Sequence, residues 1–334
     1  MSIKKTLGTI ALSLAPLFVN QISVRADGFD YAPKEGQTAS ESKNAKNLVD
    51  GYLKVSGDTS PDAQGITASG KFMIKPDSWR IGATALADFR TYKAKDDTNA
   101  NVQRLEIEGG KYLTASPQVE VYAEARLGGE LAQIGGADFD LKVNDLLIGG
   151  FAGVASQENG FKVGASFDYA TGKFNADVKP NTNIDGDYTR TQGGIEGSLR
   201  LWSEGEKQTN QSFDTEPRNN KEKSIVAKVQ ASYGQENYKG VQKTNMLQAG
   251  GSVKYTFDGK DWGFGIGPAV NYEASKTTGD FETVNAKKLS GTIQLEGRIK
   301  DTFYFGVEGG WEHYENGSYK DDGLKAGAFV GVKF

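Results

Sequence analysis

Apolar and polar residues alternate one by one along most of this chain, and no other feature constrains the fold as strongly. In residues 119–131 the odd positions are apolar or glycine, whereas the even positions carry Glu, Tyr, Arg and Gly. A helix would mix these two sets on every face, but a strand places them on opposite faces. The same alternation recurs in residues 161–169, 247–257 and 289–299. The sequence therefore predicts an all-β protein.

The alternation divides the chain into fourteen predicted strands separated by polar breaks. Their approximate bounds are 47–56, 66–75, 79–92, 102–113, 118–132, 143–156, 160–171, 188–202, 223–236, 244–257, 262–274, 287–300, 302–315 and 323–334. Most are longer than the five or six residues usual in a soluble sheet, and about 9–11 tilted residues are enough to cross a bilayer. These lengths favour strands that span a membrane.

The breaks between the strands alternate in length. Short breaks such as 75–78 and 258–261 are followed by longer polar ones near 93–101, 133–142, 172–187, 275–286 and 316–322. Short periplasmic turns and long outer loops are typical of outer-membrane barrels. The break at 203–222 departs from this pattern, because it is long although its parity puts it on the periplasmic side. A twelve-stranded barrel is therefore the structural alternative.

Aromatic residues fall at both ends of the predicted strands. Those at the predicted periplasmic ends are Trp79, Phe161, Phe257, Trp262, Phe303 and Phe334, and those near the outer ends are Phe89, Tyr169, Tyr233, Tyr272 and Trp311. Aromatic rings favour the interface between bilayer and water. Two such rings of side chains agree with strands that cross a bilayer.

The N-terminal residues have a different composition from the strands. Lys4 and Lys5 precede an apolar stretch at 7–19, and residues 24–26 suit cleavage by signal peptidase. We therefore expect a signal peptide at 1–26, a polar N-terminal tail at 27–46 and a barrel at 47–334. The tail is expected either to lie in the periplasm or to enter the barrel as a plug.

Composition excludes several kinds of chemistry. The chain has no Cys and one His, which excludes cysteine-ligated metals, disulfides, thiol nucleophiles and sites that need two histidines. We expect no cofactor and no metal. The net charge of −4 without basic clusters argues against nucleic acid as a partner.

The last strand carries a more specific pattern. Its alternating apolar residues lead to an aromatic C-terminus: Leu324, Ala326, Ala328, Val330, Val332 and Phe334. This resembles the terminal strand of Gram-negative outer-membrane β-barrel proteins, and with the signal peptide and the alternation the resemblance to a porin-like barrel covers nearly the whole chain. It implies an all-β transmembrane antiparallel up-and-down barrel of about 14 strands in the cell outer membrane. The implied partners are the lipid bilayer, lipopolysaccharide, and the periplasmic chaperones and barrel assembly machinery that act during biogenesis.

If the apolar positions face lipid, the alternate positions face the lumen. The predicted pore-lining residues are Arg80, Asp88, Arg90, Arg104, Glu106, Glu108, Glu120, Glu124, Arg126, Glu130, Lys162, Asp168, Glu196, Arg200, Lys254, Glu296, Arg298, Glu308 and Glu312. Charges of both signs in a hydrated lumen bind passing solutes weakly, as a diffusion pore requires. The alternative is that they pair across strands and fill the lumen.

The predicted strand number favours an open lumen. Eight strands leave an interior that side chains fill, whereas sixteen to eighteen leave an aqueous channel, and fourteen lies nearer the open end. Inward glycines such as Gly164, Gly306 and Gly331 either leave space or relieve strain in the curved sheet. We expect a porin-like channel for passive diffusion of ions and small hydrophilic solutes, with weak ion preference.

Two other functions remain open. A structural or adhesive surface barrel would act through its outer loops, and an outer-membrane lipid-modifying enzyme would need a nucleophile near the rim. His313 is predicted near the outer end of its strand, a position that resembles that of the catalytic His of outer-membrane lipases and deacylases. Those enzymes carry His-x-Ser, whereas this sequence has Glu315 in place of the Ser. We therefore expect that the barrel is not an enzyme.

Overall fold

The described residues of the computed structural model form one closed antiparallel barrel. The structure describes residues 49–60, 63–74, 79–92, 98–116, 119–137, 139–156, 160–178, 182–204, 222–259, 261–279, 283–300, 302–317 and 319–333. The predicted signal peptide at 1–26 and tail at 27–46 lie outside these residues. In the part of the chain that is described, no helix has the length and apolarity to span a membrane.

Fourteen strands make up the described barrel. They are β1 (Val49–Thr59), β2 (Ala63–Ile74), β3 (Trp79–Tyr92), β4 (Thr98–Ser116), β5 (Val119–Gly135), β6 (Phe139–Ser156), β7 (Phe161–Val178), β8 (Thr182–Glu204), β9 (Glu222–Tyr238), β10 (Gln242–Asp258), β11 (Trp262–Gly279), β12 (Thr283–Ile299), β13 (Phe303–Asn316) and β14 (Tyr319–Lys333). Each strand pairs with its neighbours in the chain, and β1 pairs with β14 to close the ring. The prediction of about 14 strands is confirmed, and the twelve-stranded alternative is wrong.

An apolar belt surrounds the barrel on its outer surface. On β11 it runs from Trp262 to Tyr272, and on β12 from Ile299 to Leu289, which matches the roughly 9–11 tilted residues needed to cross a bilayer. Trp262 is 54% exposed, so its ring faces away from the barrel interior. Because the closed ring leaves no open sheet edge among the described strands, its backbone suits a hydrocarbon environment. The protein is a β-barrel of the outer-membrane type and is located in the cell outer membrane.

The strands extend beyond this belt at the outer end, where the sequence predicted long loops. β7 continues to Val178 and β8 begins at Thr182, so most of the predicted loop 172–187 is strand. The predicted loops near 93–101, 133–142, 275–286 and 316–322 are likewise partly or largely strand. The prediction of long outer loops is therefore wrong for these five connections.

The polarity of the barrel wall inverts where the belt ends. On β7, Phe167 faces outward within the belt and Asp168 faces inward, but farther out Lys173 faces outward and Phe174 and Ala176 are buried inside. We call this part of the barrel the outer extension. Its outer face is polar, and its inner face is apolar on β2 to β9 as in a soluble barrel. On β10 to β13 the inner face is mixed, because Thr244, Thr277 and Asn316 are buried there. The outward residues of the outer extension are polar, and for this reason the sequence predicted loops in these segments.

At several inward glycines, a neighbouring ring or backbone occupies the space that a side chain would need. A methyl group on Gly331 would lie 2.0 Å from the Tyr304 ring, and one on Gly310 would lie 2.0 Å from the Gly291 carbonyl oxygen. The Tyr304 hydroxyl crosses over Gly331 and donates a hydrogen bond to the Leu53 carbonyl oxygen at 3.2 Å, which links β13 to β1 across β14. At these positions the glycines accommodate a ring or a close backbone rather than widening the lumen.

Candidate functional site

The predicted pore-lining residues all lie on the interior face of the barrel. Their inward positions follow from the burial pattern, because the apolar residues that alternate with them within the belt are the exposed ones. The degree of burial varies, since Glu296 and Glu312 have no exposed surface whereas the Glu196 side chain is 52% exposed. Whether these side chains line a conducting pore stays a prediction.

Many of these side chains form ion pairs along the wall. Arg90 contacts Asp58 at 2.9 Å and Asp88 at 2.8 Å. Other pairs join strands that are next to each other or two apart: Lys71 with Glu108, Arg126 with Asp168, Lys254 with Glu296, Lys288 with Glu312, and Lys325 with Glu308. Buried charges need such partners, because an unpaired buried charge is costly. The alternative in which charges pair across strands thus describes much of the wall.

A charged layer made by Arg104, Glu130, Arg190 and Glu236 lies at the inner edge of the outer extension. The Glu130 carboxylate accepts a hydrogen bond from Arg104 Nε at 2.7 Å and one from Arg190 Nη1 at 3.1 Å. Arg190 Nη1 also lies 4.0 Å from Glu236 Oε1. Since Glu130 is on β5 and Arg190 is on β8, this layer joins strands that are not neighbours in the sheet.

An apolar cluster lies in the interior above this charged layer. Its members come from β2 to β10: Ala63, Tyr92, Ala100, Val102, Ala132, Ile134, Phe139, Leu141, Val143, Ala170, Phe174, Ala176, Val178, Tyr188, Tyr238 and Met246. The Tyr238 ring packs against Phe174 at 5.3 Å and against Tyr188 at 5.0 Å between ring centroids. Ala132 and Ala176 are also buried. An alanine methyl group is too short to be shielded by its own strand on the wall of a wide barrel, so other interior side chains must cover these two residues. On the side formed by β2 to β10, the outer end of the interior is therefore packed.

A polar cavity of about 40 Å³ lies in the lumen and is partly open to the surrounding solvent. Arg90 on β3 and Gln248 on β10 both line it, and these strands face each other across the ring of fourteen. The charged lining residues balance in sign, with Asp58, Glu273 and Glu308 against Arg90, Lys288 and Lys325. We call this space the central cavity. Space for water therefore remains between these lining side chains.

Sequence reasoning missed several of the interior charges. Asp58, Lys71, Arg190, Glu236 and Lys288 were not predicted as site residues. Arg190 has the same parity as Glu196 and Arg200 on β8, so the alternation contained the signal for it. The apolar cluster also had a signal, because on β7 the apolar positions switch from odd numbers up to Tyr169 to even numbers from Ala170 onward.

His313 faces outward on β13, one position above the belt residue Trp311 on the same face. Its Nδ1 lies 2.6 Å from Asp322 Oδ1, and its Nε2 lies 3.3 Å from Glu315 Oε1. Hydrogen bonds to Asp322 and then to Glu315 raise the pKa of His313. Both ring nitrogens are engaged by carboxylates, so this geometry favours the imidazolium rather than a free base.

The titration of His313 gives a first prediction. Since the chain contains one His, its imidazole resonance is unambiguous, and we expect its pKa in the folded barrel to exceed about 6.5. Replacing Asp322 with Asn should lower that pKa. The stabilisation from a raised His pKa is complete below the unfolded value and is lost as pH rises through the folded value. NMR titration of wild type and Asp322→Asn in micelles measures both values, and equal pKa values would contradict the assigned hydrogen bond.

No group of three or more His, Asp or Glu side chains in the described part of the chain is arranged to hold an ion.

Comparison with known proteins gives only distant similarities. No protein-family model matches the sequence, and no curated protein matches it. Similar solved structures include the translocator domain of the autotransporter NalP from Neisseria meningitidis, which is 7% identical, with 96% of this chain and 98% of that chain covered and a TM-score of 0.47. The Pseudomonas putida toluene transporter TodX is 10% identical, with 90% and 94% covered and a TM-score of 0.47. The beta domain of a Bordetella autotransporter is 10% identical, with 86% and 100% covered and a TM-score of 0.45.

Proposed function

We propose that this protein is an outer-membrane channel for passive diffusion of ions and small hydrophilic solutes. The observation that carries the proposal is the central cavity, which is polar and receives side chains from opposite walls. An interior with both charges and space is what a diffusion path needs, because hydrated solutes require polar contacts that bind weakly enough to release them. We further infer that the apolar cluster on β2 to β10 narrows the outer end of this path.

The balance of charges in the central cavity leads to weak ion selectivity. Asp58 and Glu273 favour a cation, and Arg90 and Lys288 favour an anion, so neither ion meets a field of one sign. We expect stepwise conductance in planar bilayers that contain the refolded mature protein, with a reversal potential near zero in a salt gradient. A strong reversal potential would contradict the balanced lining, and a complete absence of conductance would contradict the channel.

A second function, that of a closed barrel that displays its outer extension, is supported by the apolar cluster. In that case the ion pairs of the interior would serve stability alone. The two functions differ when the cluster is disrupted, since a channel then conducts more readily and a structural barrel with a filled lumen stays silent.

We also propose that the barrel is not an enzyme. The contacts of His313 support this proposal. Both of its ring nitrogens contact carboxylates, so neither nitrogen can take a proton from a nucleophile. A phospholipid-release assay on wild type and His313→Ala provides the test. Hydrolysis by the wild type that is lost in the variant would contradict the proposal.

A further inference from the structure

Outward-facing lysines on β10, β11 and β12 form a row just above the apolar belt. The row consists of Lys243, Lys276 and Lys287, and all three side chains are exposed. Leu289 of the belt is the outward residue directly below Lys287, whereas Asn245 and Ala274 stand between the belt and Lys243 and Lys276. We define these residues as the lysine row.

The strand register places these lysines side by side. Lys243 pairs directly with Thr278 on β11, and Lys276 lies two residues below Thr278. Lys276 in turn pairs directly with Asn285 on β12, and Lys287 lies two residues below Asn285. Such diagonal neighbours are about 7–8 Å apart. Because the strands are tilted by about 40°, directly paired residues climb toward the outer rim from β10 to β12, and this diagonal runs nearly level along the rim.

The lysine row differs from the other cations of the outer rim in having no carboxylate partner among the described residues. Elsewhere on the rim, Lys142 lies 3.6 Å from Asp140, Lys173 lies 2.5 Å from Asp187, and Lys239 lies 3.6 Å from the same Asp187. On β13 and β14, Lys320 and His313 share Glu315.

Three neighbouring exposed ammonium groups at this height attract anions from the surroundings. The outward residues next to the row on β9 to β12 are neutral: Gln235, Asn237, Asn245, Thr278 and Asn285. Their amides and hydroxyl can donate hydrogen bonds to phosphate oxygens. On β13, Glu315 lies directly across from Lys287, and its carboxylate pairs with Lys320 and His313. The belt below holds acyl chains, so an anion seated here sits at the level of lipid headgroups.

We propose that the lysine row binds the phosphate groups of a phosphorylated lipid in the outer leaflet. The acyl chains of that lipid would lie along the belt on β10 to β12, and its phosphates would contact the three ammonium groups. The paired lysines on β6 to β9 offer no such site, because their charge is already neutralised by Asp140 and Asp187. The lipid thus binds on one side of the barrel.

The test compares two triple variants that remove the same charge. One replaces Lys243, Lys276 and Lys287 with Gln, and the matched control replaces Lys142, Lys173 and Lys239 with Gln. Each protein is refolded in a neutral detergent, its folding is verified by heat-modifiable gel mobility, and binding of diphosphoryl lipid A is measured by native mass spectrometry. Dephosphorylated lipid A with the same acyl chains and inorganic phosphate are the comparison ligands.

We expect wild type and the control variant to bind diphosphoryl lipid A about tenfold or more tightly than the dephosphorylated lipid, and the lysine-row variant to lose that difference. Equal binding of the two lipids by wild type would overturn the proposal, as would equal losses in both triple variants. Inorganic phosphate that binds as tightly as the lipid would show a phosphate site rather than a lipid site. None of these outcomes depends on whether the barrel conducts.

Discussion

Replacing both Phe174 and Tyr238 with alanine is expected to raise the open probability of the channel several-fold. The wild type should open rarely and briefly, whereas the double variant should carry sustained current. These two rings pack against each other at 5.3 Å in the middle of the apolar cluster. Their removal leaves a void in the outer end of the interior, next to the charged layer, which water can enter. The measurement is single-channel recording in planar bilayers, with wild type and the double variant compared at the same voltage.

A matched control lies on the same strand. Phe167→Ala removes the same ring from β7, but Phe167 faces outward and is half exposed, so the current should not change. Each buried ring lost from a core costs about 3–5 kcal/mol, so folding of the double variant must be checked by gel mobility. A folded double variant that stays silent would contradict both the narrowing by this cluster and the channel function, and would favour a structural barrel.

Glu130→Gln is expected to destabilise the barrel by about 3 kcal/mol, because it leaves two buried guanidinium groups without their shared carboxylate. Glu130 is 4% exposed and accepts hydrogen bonds from both Arg104 and Arg190. The remaining carboxylates compensate poorly, since Glu106 lies 3.7 Å from Arg104 and Glu236 lies 4.0 Å from Arg190. Equilibrium unfolding by urea in lipid vesicles gives the difference in free energy.

Glu196→Gln serves as the control for Glu130. It is also an inward Glu, but its side chain is half exposed and lies 4.0 Å from Lys162, so its loss should cost less than about 1 kcal/mol. Equal free energies of unfolding for the two variants would show that the charged layer contributes no more than an exposed pair.

The sequence could predict the barrel because the lipid-facing alternation is regular. On β12, Leu289, Ile293 and Leu295 lie on one face and are exposed, as the alternation requires. The outer extension could not be recognised by looking for that face alone. Its outward residues, such as Lys173 and Asn175, are as polar as a loop, and only the opposite parity of Phe174 reveals a strand.

Parity also limits what could be known of the site. It gives the direction of each side chain, and so placed Glu130 and Arg104 inside the barrel. It does not give height or distance across the lumen, which depend on how the strands tilt and stagger. The contact between Glu130 and Arg190, which lie three strands apart, could therefore be found only from the closed barrel.

The inversion of polarity between the belt and the outer extension fixes how deeply the protein is immersed. A barrel that sank by a few ångströms would carry outward lysines such as Lys276 and Lys173 toward hydrocarbon, where a Lys costs about 2–4 kcal/mol at the midplane. A barrel that rose would expose belt residues such as Leu289 to water. A tilt would lower one side of the barrel and raise the other, so it would bring both of these costs at once. Tilting is therefore opposed as well as sinking. The protein is therefore held upright at one depth, and the bilayer rather than the barrel must adjust where their thicknesses differ.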